Sequence, residues 1–273
     1  MTLGMPATTR VIDCHGHFGY YAGVKIIPMD AESMIRVMNK TGIEKICISA
    51  FLSIGPDCKA GNNLVSEAVK RYPDRFLGYG VINPNRPQEI EGELHRCFEN
   101  LGMKAIKLHP ASHEIPAHDS VFKKVFEFAA SKHLPILSHE WGSPEFLGHV
   151  SSNYPEVSFI VAHMGFWSGR GDFAYADVIH RHDNVYVDLA YSNVFYEALE
   201  RLVATVGAAK IVFGSDFPLH DPGYQLGRVL FSKLTAREKQ MILGLNMLQI
   251  LGETPESETE ESNPGISSQP SDG

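Results

Sequence analysis

The chain has 273 residues, of which 44% are hydrophobic and 21% charged, enough apolar material for a large core and too much for wholesale disorder. A formal charge of -8 excludes a broadly basic surface of the kind that grips nucleic acid or an anionic membrane. Six of the 32 acidic residues (Glu253, Glu256, Glu258, Glu260, Glu261 and Asp272) lie in 253–273, which has no Lys or Arg, leaving 26 acidic against 24 basic residues in the body.

In chain order, β-rich runs predict strands at Val11–His15, Lys45–Ser49, Phe76–Val81, Ala105–His109, Pro135–His139, Phe159–His163, Val185–Leu189 and Ile211–Ser215. Periodic segments between them predict helices, among them Asp30–Lys40, Asn62–Arg71, Gln88–Leu101, Ser120–His133 and Glu197–Val206. Gly and Pro punctuate the breaks, as at Gly42, Pro73, Gly102 and Pro155. Eight strands alternating with helices predict a (β/α)8 TIM barrel over residues 1–252. The open doubly wound sheet is the alternative, but it usually carries a Gly-rich phosphate turn after its first strand, where this chain has His-Gly-His. Residues 253–273, rich in Glu, Ser, Pro and Gly, predict a disordered acidic tail.

The four cysteines form no CxxC pair and do not read as a disulfide framework. The N-terminal stretch has no apolar leader, and no run is long enough to span a bilayer. A soluble cytoplasmic protein is therefore expected.

Histidines mark the chemistry by where they fall. His15 and His17, two apart at the end of the first strand, share a face and can grip one ion. Other strands end in His139, His163 and Asp216, and in a barrel all strand ends converge on one mouth. Neutral imidazoles plus a carboxylate suit a divalent cation, with Zn2+ expected first and Mn2+ as the alternative. Alternation puts Lys107 with Ala105 and His109 on the face opposite Ile106 and Leu108, so Lys107 points inward if the apolar pair meets the helices. Phe18, Tyr20, Tyr21, Trp141, Phe166, Trp167, His220 and Asp221 follow strand ends and are candidates for setting substrate choice. Arg170 is a candidate clamp for a substrate carboxylate, and Asp188 for orienting a histidine.

Together with Ile-Lys-Leu-His-Pro at 106–110 and Gly-Ser-Asp-Phe-Pro at 214–218, this set resembles the amidohydrolase superfamily, within it the amidohydrolase-2 group, over residues 11–250. The resemblance implies that His15, His17, His139 and Asp216 ligate a metal. It makes His163 a general acid/base, or a ligand of a second metal, and lets Asp216 share the proton transfer. Lys107 is expected as an unmodified cation that pairs with Asp216 or holds a substrate carboxylate. Its alternative is a carboxylated lysine bridging two metals, and His109 is a possible substrate contact.

The leading functional expectation is hydrolysis of a small amide, lactone or cyclic ester by metal-activated water. The alternative is non-oxidative decarboxylation of a small unsaturated or aromatic acid, and a non-catalytic metal-binding protein ranks third. TatD-type DNases would carry other motifs on the fourth and eighth strands, and the near-neutral body offers no phosphate track. A small-molecule substrate is expected, without nucleic acid or membrane partners, and a homo-oligomer is compatible with the sequence.

Overall fold

A computed structural model describes residues 9–20, 29–168, 173–191 and 195–253. Its eight strands are β1 (Ile12–Phe18), β2 (Lys45–Ala50), β3 (Phe76–Val81), β4 (Ala105–Leu108), β5 (Ile136–Ser138), β6 (Phe159–Val161), β7 (Val185–Asp188) and β8 (Ile211–Val212). They pair in sequence order in one sheet, and each pair is parallel. The circle is closed by backbone bonds between the first and last strand regions: Cys14 N–H to Phe213 O at 2.8 Å, Asp216 N–H to His15 O at 2.7 Å and His17 N–H to Phe217 O at 2.7 Å. The predicted (β/α)8 barrel is the observed fold.

Helices follow the strands, including Ala31–Thr41, Cys58–Arg71, Lys123–Lys132, Ala198–Val206 and Pro222–Leu230. Their starts are written locally: Asp30 caps one helix through Ser33 N–H at 2.7 Å, and Asp57 another through Ala60 N–H at 3.0 Å. Helices Pro144–Asn153 and Pro222–Leu230 follow β5 and β8. In both, proline occupies the first turn, where its missing N–H is no loss.

Among the described residues two large apolar layers result, beside a small cluster of Phe51, Ile54, Cys58 and Val81. The larger packs the outward faces of the strands (Ile46, Ile48, Ile106, Leu108, Val185 and Val187 among them) against the helices. The smaller fills the barrel with Ile12, Cys14, Cys47, Leu77, Tyr79, Ala105, Leu137, Ile160 and Val212. Ile106 and Leu108 thus face the helices, so Lys107 points inward as alternation predicts. The four cysteines are free and buried. Among the described residues no helix is long and apolar enough to cross a membrane.

β1 departs from strict alternation. Its register against β2 runs Asp13 to Ile46 and then Gly16 to Ile48, so one extra residue is inserted in β1. Ile12 and Cys14 face inward, and unbroken alternation would turn His15 outward. The bulge resets the phase and sends His15 and His17 into the barrel. Gly16 permits it: a Cβ there would lie 2.5 Å from Ile46 Cδ1.

Asp13 fastens this bulge to the eighth strand. Its Oδ1 accepts from the N–H groups of His15 and Ser215, each at 3.0 Å, and its Oδ2 accepts from Ser215 Oγ. Asp13→Ala leaves buried backbone donors without acceptors. A loss of about 3–5 kcal/mol is expected in urea unfolding, and a loss under about 1 kcal/mol contradicts this role.

The predicted acidic tail lies outside the described residues except for Glu253, whose carboxylate pairs with Lys45 Nζ at 3.1 Å. Arg170 and Tyr21 also lie outside them.

Candidate metal centre

The strand ends bring together His15 and His17 from β1, Lys107 from β4, His139 after β5, His163 after β6, Asp188 from β7 and Asp216 after β8, all buried. Ring centroids of His15 lie 5.3 Å from His17 and 4.9 Å from His163, and His163 lies 4.7 Å from His139. His109 stacks on His139 at 4.0 Å, and its Nδ1 accepts from Ser112 N–H at 3.3 Å, capping the short helix Pro110–His113.

Among the described residues two compact donor groups share His15: His15 with His17 and Asp216, and His15 with His163 and Asp188. Their hydrogen bonds separate them. In the second group the carboxylate is already satisfied, because Asp188 Oδ2 receives His15 Nδ1 at 2.7 Å. Its Oδ1 receives the N–H groups of His163 at 2.7 Å and Ala190 at 2.9 Å.

In the first group Asp216 Oδ1 is buried and makes no hydrogen bond, yet His17 Nε2 stands 3.1 Å away and His15 Nε2 3.7 Å away. His17 Nδ1 lies 3.2 Å from Ser49 Oγ, and His15 Nδ1 is held by Asp188. In the tautomers with both Nδ1 atoms protonated, His17 Nε2 turns its lone pair to the carboxylate oxygen, while that of His15 Nε2 meets the Lys107 ammonium at 2.8 Å. Acceptors facing one another repel unless a cation lies between them, so this donor set fits a divalent ion. His139 belongs to neither compact group and reaches the cluster through His163.

Electrostatics keep the imidazoles neutral. Burial holds His15 far below the usual range, reinforced by Lys107, and lowers His17 despite Asp216 beside it. Burial also pushes His163 down to about 4 and His109 to about 3. Asp216 stays low although burial opposes it, with the adjacent His17 ring its first favourable partner and the Lys107 ammonium adding to it.

Lys107 Nζ donates to His15 Nε2 at 2.8 Å, and this imidazole, not Asp216, is its direct partner. Burial lowers the ammonium, against the fields of Asp188 and Asp216. An ion taking His15 Nε2 would take the place of Lys107 on that nitrogen. His163 is fixed through Nδ1, which donates to Ala190 O.

Other expectations divide. Trp141 is a core residue, its Nε1 donating to Ile160 O at 3.0 Å and its ring packed edgewise on Phe159. Asp221 caps the helix Pro222–Leu230 through Gly223 N–H at 2.7 Å. Tyr20 is exposed, while His220 Nε2 lies 3.6 Å from Asp216 Oδ2. Ser49 and Asp13 support the site but were not singled out in the sequence. Asp13 had a visible signal in Ile-Asp-Cys-His, whereas the role of Ser49 comes only from its register beside His17.

A curated relative, 2-amino-3-carboxymuconate-6-semialdehyde decarboxylase of Dictyostelium discoideum, is 23% identical over 240 residues, covering 71% of this chain. The match spans 66% of that relative's own length. A dihydroxybenzoic acid decarboxylase from a Polaromonas species, solved with manganese and the inhibitor 2-nitroresorcinol, matches with a TM-score of 0.73 and 16% identity over 89% of this chain and 97% of its own. The manganese complex of a 5-carboxyvanillate decarboxylase from Novosphingobium aromaticivorans gives 0.72 and 17%, over 92% of this chain and 97% of its own. These relatives are decarboxylases, and they overturn the expectation of amide, lactone or ester hydrolysis in favour of its alternative. A family model described as amidohydrolase matches residues 12–252, nearly the whole barrel, and the chain belongs to that family.

Proposed function

We propose that this protein is a divalent-metal-dependent, non-oxidative decarboxylase of a small aromatic or unsaturated carboxylic acid, with His15, His17 and Asp216 holding the ion. The observation that carries the reading is the buried, unbonded Asp216 Oδ1 facing two imidazole nitrogens. The relatives add the reaction class, and the manganese in two of the solved decarboxylases favours Mn2+ over Zn2+ as the first ion to load. His139 completes the set as a ligand or as the group that packs His163 in place.

A bound divalent ion would supply positive charge to orient an acidic substrate and stabilise charge that develops on its oxygens. In the reaction the bond from carbon to carboxylate breaks, carbon dioxide leaves, and the electron pair left on carbon takes a proton. His163 suits the proton work: it is neutral, anchored through Nδ1, and its Nε2 can take a proton from an acidic substrate hydroxyl and return it to carbon. Asp216 shares the transfer through Oδ2, the oxygen turned away from His15 and His17. Lys107 holds a substrate oxygen once it leaves His15, and Arg170 and His109 remain candidates for the far end of the substrate. The free cysteines agree with a reducing, cytoplasmic setting.

The test is a panel of hydroxybenzoates, carboxyvanillate-like acids, lactones and cyclic amides offered to Mn2+-loaded and chelator-treated protein. Carbon dioxide release from an acid, lost on chelation and restored by Mn2+, is expected. Ring-opened product without carbon dioxide contradicts the proposal.

A further inference from the structure

Arg228 lies on the helix Pro222–Leu230, the helix that follows β8, and reaches across to the ends of β6 and β7. Its Nη1 donates to Tyr191 O at 2.7 Å, Leu189 O at 3.2 Å and Gln225 Oε1 at 2.7 Å, while Nη2 lies 3.0 Å from the Met164 sulfur. These acceptors are all neutral. Burying most of a guanidinium against neutral groups is an expensive way to fill space, and an apolar side chain would serve packing alone at lower cost.

What the guanidinium touches explains its presence. Leu189 and Tyr191 flank Ala190, whose carbonyl accepts His163 Nδ1 and whose N–H donates to Asp188 Oδ1. Met164 directly follows His163. His163, Met164 and Gly165 run in succession at φ 59°, 55° and 72°, in the left-handed region. For the two non-glycine residues that conformation is strained and persists only where the surroundings impose it. The bonds from Asp188 and Ala190 grip the front of this turn, and Arg228 grips both the Ala190 segment and the residue behind the imidazole.

We propose that Arg228 is a positioning residue, clamping the strained His163–Gly165 turn against the end of β7 and so fixing where the His163 imidazole sits in the site. The proposal rests on the reading of His163 as a proton-transfer group, and its test has one arm independent of activity.

Arg228→Met keeps the length of the side chain, and Arg228→Lys keeps the charge. In long-range 1H–15N spectra of the metal-free protein, the wild type is expected to show His163 as the Nδ1-protonated tautomer. Arg228→Met should show a mixed or shifted signal, partly restored in Arg228→Lys. With Mn2+ and 2,6-dihydroxybenzoate as the probe, Arg228→Met is expected to lower kcat about 10–100-fold with KM within about twofold. In a His163→Asn background the same change is expected to cost less than about twofold. An unaltered His163 signal, or equal losses in both backgrounds, overturns the proposal. If the wild type releases no carbon dioxide from the probe, the functional reading has failed on this substrate and the spectra alone decide the role of Arg228. If Arg228→Met does not fold, Arg228→Lys carries both readouts.

Discussion

Asp216→Asn is expected to abolish metal retention and lower carbon dioxide release roughly a thousandfold while leaving the barrel folded. The substitution removes the charge but little of the shape. Asp216 sits at φ 61°, a conformation that asparagine tolerates better than almost any residue except glycine. The backbone bond from Asp216 N–H to His15 O, which helps close the barrel, does not depend on the side chain. Metal content after gel filtration should fall at least tenfold, with a melting temperature close to that of the wild type. A variant that keeps its metal and more than about a tenth of its activity shows that the ion is held elsewhere.

Asp188→Asn is expected to damage the same site from behind and to cost stability as well. The carboxylate accepts His15 Nδ1 on one oxygen and two backbone N–H groups on the other. An amide can keep only one of these arrangements. If its oxygen stays with the two backbone donors, its NH2 faces His15 Nδ1 and forces that nitrogen to become the acceptor. The proton then moves to Nε2, which can no longer bind an ion and also confronts the donor Lys107 Nζ. Metal affinity should fall about 10–100-fold. Stability should fall by about 1–3 kcal/mol, since a buried acceptor is lost. The two variants are thus separable: both lose metal, but only Asp188→Asn also lowers the melting temperature. Unchanged metal affinity in Asp188→Asn contradicts the tautomer argument.

The barrel was legible in the sequence because its information is periodic. Strand runs at regular spacing, broken by Gly and Pro, locate β2, β3 and β4 to within a residue, and plain alternation on β4 places Lys107 inward. β1 shows the limit of that logic. Alternation begun at Ile12 would turn His15 out of the barrel, and only the extra residue before Gly16 brings it in. A bulge has little signature in one sequence, since it is decided by register against β2 and by the space Gly16 leaves for Ile46. Loop residues were less readable still. Trp141 and Asp221 follow strand ends as substrate-facing residues do, but a core cavity took one side chain and a helix N-terminus the other. Lys107 was expected to pair with Asp216 or hold a substrate carboxylate, yet its nearest partner is the His15 imidazole across the barrel. The chemistry class failed for a different reason: metal-bound histidines and an aspartate can serve hydrolysis or decarboxylation, and the ligand types alone do not separate them.

On this reading His15, His17 and Asp216 form the metal site of a decarboxylase. Anomalous diffraction at the manganese edge from Mn2+-soaked crystals tests it most directly. A peak bounded by those three side chains is expected, with Lys107 displaced from His15 Nε2. A peak among His15, His163 and Asp188, or none at the barrel mouth, would contradict it.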